Sequence, residues 1–217
     1  VNHKSSETLF NLGMGYRHLV KDRSWMLGAN LFYDYETHVS HQRLGAGLEG
    51  IGSYAEARVN GYLGLSRARE INTSDATVLV ERAVDGYDVE VGFPIPYYSR
   101  LKLFGGYEWY DFKKFENREG WSVRAEYKPV PILVLDLVLS DNTKKNTSWK
   151  VNVAFRLPIG GNSPKRLESP LKLDRVMFPD SDVGDRLFSL VERHHEIVVE
   201  SYVEKEGQVD IEIRRGT

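Results

Sequence analysis

The sequence has no cysteine, no long apolar run and almost no excess of either charge, and each absence excludes something. Without cysteine there is no disulfide framework, no thiolate nucleophile and no zinc–cysteine site. No stretch of eighteen apolar residues occurs, which excludes a transmembrane helix. A membrane protein is still allowed, because a transmembrane barrel turns its polar residues into the lumen. Lysine and arginine number 29 against 31 acids, a net charge of -2, so nothing points to a nucleic-acid partner. With 217 residues the chain has room for one sizeable domain and hardly for two. It opens Val1–Lys4 without a basic start, an apolar stretch or a small-residue cleavage site, so any secretory signal is expected to be removed or upstream.

What the sequence does have is a period of two. Trp121, Val123, Ala125 and Tyr127 alternate with Ser122, Arg124, Glu126 and Lys128. Leu133, Leu135, Leu137 and Leu139 oppose Val134, Asp136, Val138 and Ser140, and Trp149, Val151, Val153, Phe155 and Leu157 oppose Lys150, Asn152, Ala154 and Arg156. Phe10–Arg17 and Trp25–Asp34 read the same way, and further segments centre on 44–48, 55–63, 87–93 and 101–109. Such alternation is the strand signature; a helix would scatter these residues around its axis. The result is nine strands, most of them near the roughly 9–11 residues that cross a bilayer at a tilt.

A soluble sandwich also alternates, because each of its sheets has one dry and one wet face. Two features favour the membrane. Aromatics gather at strand ends on the apolar face (Trp25, Tyr35, Tyr87, Phe93, Trp109, Trp121, Tyr127, Trp149), as interfacial girdles require. Gly13, Gly15, Gly45, Gly47 and Gly106 lie on the polar face, where they make room in a crowded lumen. Connections 20–24, 52–53, 94–99 and 129–131 are short, whereas 36–41, 66–85, 111–120 and 141–146 are longer and more polar. Short periplasmic turns and long outer loops orient the chain so that the first and last strands run inward. Bacterial single-chain barrels use even strand numbers, so an odd number of N-terminal strands is expected outside this sequence.

The pattern stops after Leu157. The stretch 159–164 is a glycine-containing break, and Asp185–Arg193 predicts a short helix with Leu187, Leu190 and Val191 on one face. Strands are expected near 196–203 and 209–213. The domains then read as a barrel over 1–157, a linker threading the lumen over 158–184, and a passenger-side region over 185–217. In extended form the linker spans ~30 Å at ~3.3 Å per residue. The lumen would offer it Asp34, Glu49, Glu56, Asp88, Glu90, Glu108, Glu126 and Asp136, with Arg17, Arg43, Arg58, Lys102, Arg124, Lys150 and Arg156. Lys165, Arg166, Lys172 and Arg175 could pair with the acids; alternatively the luminal charges pair only with each other and with water. If Arg124, Glu126 and Asp136 contact the linker, reversing all three should impair surface display.

The runs Asn11–Arg17 (NLGMGYR), Trp25–Tyr35 (WMLGANLFYDY) and His41–Glu49 (HQRLGAGLE) closely resemble the β-domain of inverse autotransporters, the intimin/invasin family. Asn60–Tyr62, Asp85–Val89, Tyr107–Tyr110 and Tyr127–Leu133 continue the match in order, and Asp185–Glu200 looks like the segment just beyond the barrel. The resemblance implies an all-β, antiparallel transmembrane barrel of twelve strands in a Gram-negative outer membrane. It implies type V secretion of a C-terminal adhesin or invasin passenger through the pore, and so a part in virulence. Its partners would be outer-membrane lipid, the barrel assembly machinery, and host-cell or bacterial receptors met by a passenger outside this sequence. No catalytic residue, cofactor or metal is expected.

Three rivals stay open at this level, one of them a soluble all-β binding protein whose apolar strand faces would form a packed core. A diffusion porin would have the same strands but no tail continuing into another region. A rim-type outer-membrane hydrolase would need a base beside a nucleophile; His38 and His41 lie near Ser40, Glu36 and Asp34, in a loop polar enough that solvated histidines explain them.

Overall fold

The computed structural model describes residues 8–20, 22–74, 77–130, 132–155, 171–205 and 208–212. The strands are β1 (Leu9–Val20), β2 (Trp25–Glu36), β3 (Gln42–Gly52), β4 (Glu56–Gly64), β5 (Arg69–Ser74), β6 (Thr77–Ala83), β7 (Gly86–Ile95), β8 (Tyr98–Tyr110), β9 (Arg118–Val130), β10 (Leu133–Asn142), β11 (Lys145–Phe155), β12 (Val199–Lys205) and β13 (Gln208–Glu212). Nine of them form one antiparallel sheet in the order β1-β2-β3-β4-β7-β8-β9-β10-β11. All nine strands expected from the alternation are present in it. Among the described residues β1 and β11 do not pair with each other, so the barrel wall is open along those two edges.

Register fixes which face is which. Leu12 sits opposite Tyr33, Met14 opposite Leu31 and Tyr16 opposite Ala29, so the apolar members of neighbouring strands share one face. That face is bare: Leu12, Met14, Leu48, Phe93, Leu137, Val151 and Phe155 are exposed, and Trp149 is 75% exposed. An apolar surface running across nine strands far exceeds the few hundred Å² that soluble monomers leave in water. It is a lipid-facing surface.

The other face is concave, because side chains two or more strands apart meet across it. Arg17 on β1 reaches Glu49 on β3 (2.5 Å), Arg124 on β9 reaches Glu90 on β7 (2.8 Å), and Lys102 on β8 reaches Glu56 on β4 (2.5 Å). Glycines make these approaches possible. A Cβ at Gly28 would lie 2.5 Å from Glu49 Oε1, and one at Gly92 would collide with the Phe104 ring.

Four expectations are corrected. Residues 66–85 are not simply a polar loop: β5 and β6 form a hairpin there, sheeted in the order β13-β12-β6-β5. The β10–β11 connection is short, not long, since β10 ends at Asn142 and β11 begins at Lys145. Asp185–Arg193 is not a helix; only a 3₁₀ turn, Gly184–Arg186, forms. Its carbonyls go elsewhere, to arginines of the wall described below, and Phe188 (93%) and Leu190 (87%) stay exposed instead of joining a buried stripe. Finally, His41 is not a solvated loop residue: it is 1% exposed, with Nδ1 3.2 Å from Ser66 Oγ. Of the expected linker, 158–170 lie outside the described residues.

Candidate functional site

The tail touches the short-turn end of the barrel first. Asp174 N–H donates to the Tyr97 carbonyl (2.8 Å) and Tyr97 N–H to the Met177 carbonyl (2.9 Å). Ser181 N–H donates to Ser53 Oγ (3.1 Å), and Val183 N–H to the Arg23 carbonyl (2.9 Å). The β1–β2 turn that presents Arg23 is left-handed, with φ of 52° at Asp22 and 70° at Arg23. Positive φ at both positions matches the right-handed twist of a tight hairpin. Arg23 Nε also donates to both oxygens of the Asp182 carboxylate (2.9 and 3.0 Å). Val183 is buried against Met26 and Ile51, with Leu19 and Leu187 beside them.

From there the tail climbs the concave face, and arginines of the wall read its backbone. Arg17, held by Glu49, donates through Nη1 to the carbonyls of Ser189 (2.5 Å), Arg186 (2.9 Å) and Leu187 (3.1 Å). Arg43 donates to the carbonyls of Glu196 (2.7 Å), His194 (2.7 Å) and His195 (3.2 Å) while its Nε holds Asp34 (2.9 Å). The tail answers with cations: Arg186 lies on Glu56 (3.0 Å), and Arg193 forks onto Asp34 (2.6 and 2.9 Å). His194 N–H donates to Tyr62 Oη (2.9 Å), and Asn60 Nδ2 donates to the Glu192 carbonyl (3.4 Å).

At the long-loop end the tail leaves the wall and becomes a strand. Val198 is buried with Tyr62, Val84 and Tyr110, and Phe112 packs against the group. Beyond it β12 runs antiparallel to β6, Val199 opposite Ala83 and Val203 opposite Leu79. Each end of the crossing is thus seated in an apolar cluster, with polar contacts between. At ~3.3 Å per residue an extended Val183–Val198 exceeds the ~30 Å of a bilayer core, which leaves slack for the turn at Gly184–Arg186.

The expected luminal residues differ in how they meet the tail. Arg17, Asp34, Arg43 and Glu56 contact the tail directly, and Glu108 Oε2 lies 3.9 Å from His194 Nδ1. Glu49 braces Arg17, while Asp88 accepts from Asn60 (2.8 Å) and Tyr62 (2.5 Å), both of which touch the tail. Arg58, Glu90, Arg124, Glu126 and Asp136 form a wall network: Arg58 on Glu56 (2.5 Å) and Glu90 (2.8 Å), Arg124 on Asp136 (3.4 Å) and Glu126 (3.7 Å). Lys150 is exposed on β11, and Arg156 lies outside the described residues. Among the described residues, Arg186 and Arg193 are tail cations that lie on wall acids; Lys165 and Arg166 lie outside the described residues.

The sequence assigns no luminal role to Asn60, Tyr62, Arg186 and Arg193. Asn60 and Tyr62 share Arg58's parity, a signal that a search for charges alone passes over. The two tail arginines were hidden by the helix expectation.

A family model described as "Inverse autotransporter, beta-domain" matches residues 1–194. The inverse autotransporter adhesin YeeJ of Escherichia coli (strain K12) is 29% identical over 214 residues, covering 94% of this chain and 9% of that protein. The putative attaching and effacing protein homolog of the same organism is 28% identical over 141 residues, covering 61% of this chain. The chain spans 47% of that relative's length. A solved structure described as "Unveiling the Mechanism Behind the in-meso Crystallization of Membrane Proteins" has a TM-score of 0.73 at 25% identity. That likeness covers 90% of this chain and 81% of the other.

Proposed function

The chain belongs to the inverse autotransporter β-domain family, and from that premise we propose that it exports and displays a C-terminal adhesin-type passenger, with Ser181–Val198 as the stretch lying in the pore. Members of the family are outer-membrane proteins of Gram-negative bacteria, and the bare apolar face places this chain among them.

The single observation that carries the proposal is the tail's path. It enters beside the short turns at Ser53 and Arg23 and emerges beside the long loops at Val84 and β6. Short turns face the periplasm in outer-membrane barrels, so a chain continuing past β13 continues outside the cell. Arg17 and Arg43 suit this task physically. They bind carbonyls, which every residue carries, so a passing polypeptide is held without any requirement on its sequence. A diffusion porin has no use for a segment occupying its pore.

Protease shaving of intact cells tests the proposal, using the full precursor tagged before the barrel and after Thr217. Loss of the C-terminal tag alone is the expected result. Protection of that tag, with the barrel still in the outer membrane, would overturn the reading and leave the tail periplasmic.

A further inference from the structure

Backbone pairing between β12 and β6 does not by itself fix how far the tail emerges. An antiparallel ladder slipped by two residues makes the same kind of hydrogen bonds and keeps every side chain on its own face. Side-chain contacts must set the stopping point: Arg186 on Glu56 and Arg193 on Asp34 act within the pore, and the outer loops contain a further site suited to fixing β12.

Glu200 on β12 is fully buried, 0% exposed, although it is a carboxylate on a strand at the outer rim. Its Oε1 accepts from the peptide N–H groups of Lys114 (2.7 Å) and Phe115 (3.2 Å), and its Oε2 from that of Lys113 (3.2 Å). Arg82 Nη2 on β6 completes the cradle at 2.5 Å. Three consecutive amides and a guanidinium converging on one carboxylate form an anion nest. The loops make the nest largely from their own contacts. Phe112 N–H donates to Asn117 Oδ1 (2.9 Å), and Asp111 N–H to the Asp85 carbonyl (2.8 Å). Lys114 Nζ and Lys144 Nζ stand over the neighbouring rings of Tyr202 (5.1 Å) and Phe112 (5.0 Å).

We propose that the β8–β9 loop and Arg82 are a carboxylate receptor, and that Glu200 is the positioning residue that stops the emerging chain in register. This rests on the reading that Ser181–Val198 is the exported stretch. A neutral residue in the nest would leave buried donors unsatisfied, so slipped registers that place Val198 or Tyr202 there are disfavoured. Ser201 adds a single hydroxyl bond to Glu81 on the opposite face (3.0 Å), one donor against the four that Glu200 accepts.

Disulfide trapping tests this cleanly, because the chain has no cysteine of its own. The full precursor carrying Leu79→Cys and Val203→Cys, which are register partners, should crosslink in the outer membrane. Moving the carboxylate two residues on, with Glu200→Val and Tyr202→Glu, should abolish that bridge. The same variant carrying Lys205→Cys in place of Val203→Cys should now crosslink to position 79. Glu200→Gln alone keeps the shape and should divide the crosslink between positions 203 and 205; it keeps the test alive if the relocated variant fails to assemble. A bridge that stays at 203 in both variants would overturn the proposal while leaving the exported path intact. Absence of the bridge in the parent pair would overturn the path itself, and the stop residue with it.

Discussion

Arg193 and Asp34 are 159 positions apart, yet the guanidinium of one lies on both carboxylate oxygens of the other, with both side chains sealed from solvent. Arg43, from the strand next to Asp34, holds the same carboxylate at 2.8 Å. A single wall acid is therefore shared by one resident and one tail arginine. The resident one also binds three tail carbonyls. Docking of the tail is tied to the integrity of this one cluster.

Asp34→Asn is expected to leave two buried guanidinium groups without a counter-charge. Removing one partner of a buried pair costs about 3–5 kcal/mol. The urea midpoint of the folded protein in lipid vesicles should fall accordingly. Arg193→Met, which leaves Arg43 paired with Asp34, should lower it less. Equal midpoints for the two variants would show that the cluster does not act as described.

Arg17→Gln combined with Arg43→Gln removes both sets of carbonyl contacts while keeping polar side chains on the wall. The tail should spend more time undocked. Single-channel recordings in planar bilayers should show more frequent and longer openings than the unsubstituted protein. Unchanged conductance would mean that the tail is held by its ends alone, through Val183 and Val198.

Gly64 and Gly61 lie on one strand but meet different surroundings. A Cβ at Gly64 would come within 2.5 Å of the Ala83 carbonyl oxygen, whereas one at Gly61 meets nothing within 4 Å. Gly64→Ala should cost about 1–3 kcal/mol, the usual penalty of overpacking, because backbone rather than a flexible side chain must move. Gly61→Ala should be close to neutral. Urea unfolding of the two variants side by side distinguishes them.

Leu137 lies on the lipid-facing side of β10, 53% exposed, while Asn152 on β11 belongs to the concave side. Leu137→Arg should destabilise the folded protein in vesicles by about 2–4 kcal/mol, the cost of an arginine near the bilayer midplane. Asn152→Arg should cost well under that. If the two penalties were reversed, the assignment of faces would be wrong.

The sequence by itself determined the wall. Alternation such as Trp121, Val123, Ala125 and Tyr127 against Ser122, Arg124, Glu126 and Lys128 is a local property, since a strand sends successive side chains to opposite solvents. Each segment therefore declared its own faces, and the polar-face glycines declared where the lumen is crowded. Tertiary structure alone decided the path of the tail. Local periodicity made Asp185–Arg193 look helical, but Arg17 and Arg43 take its carbonyls from strands far away in the chain and draw it out along the wall. The hairpin of β5 and β6 is the partner on which β12 pairs. A strand whose partner lies more than a hundred residues away has no local signature for that partner, because the contacts that select it exist only once the wall has curled.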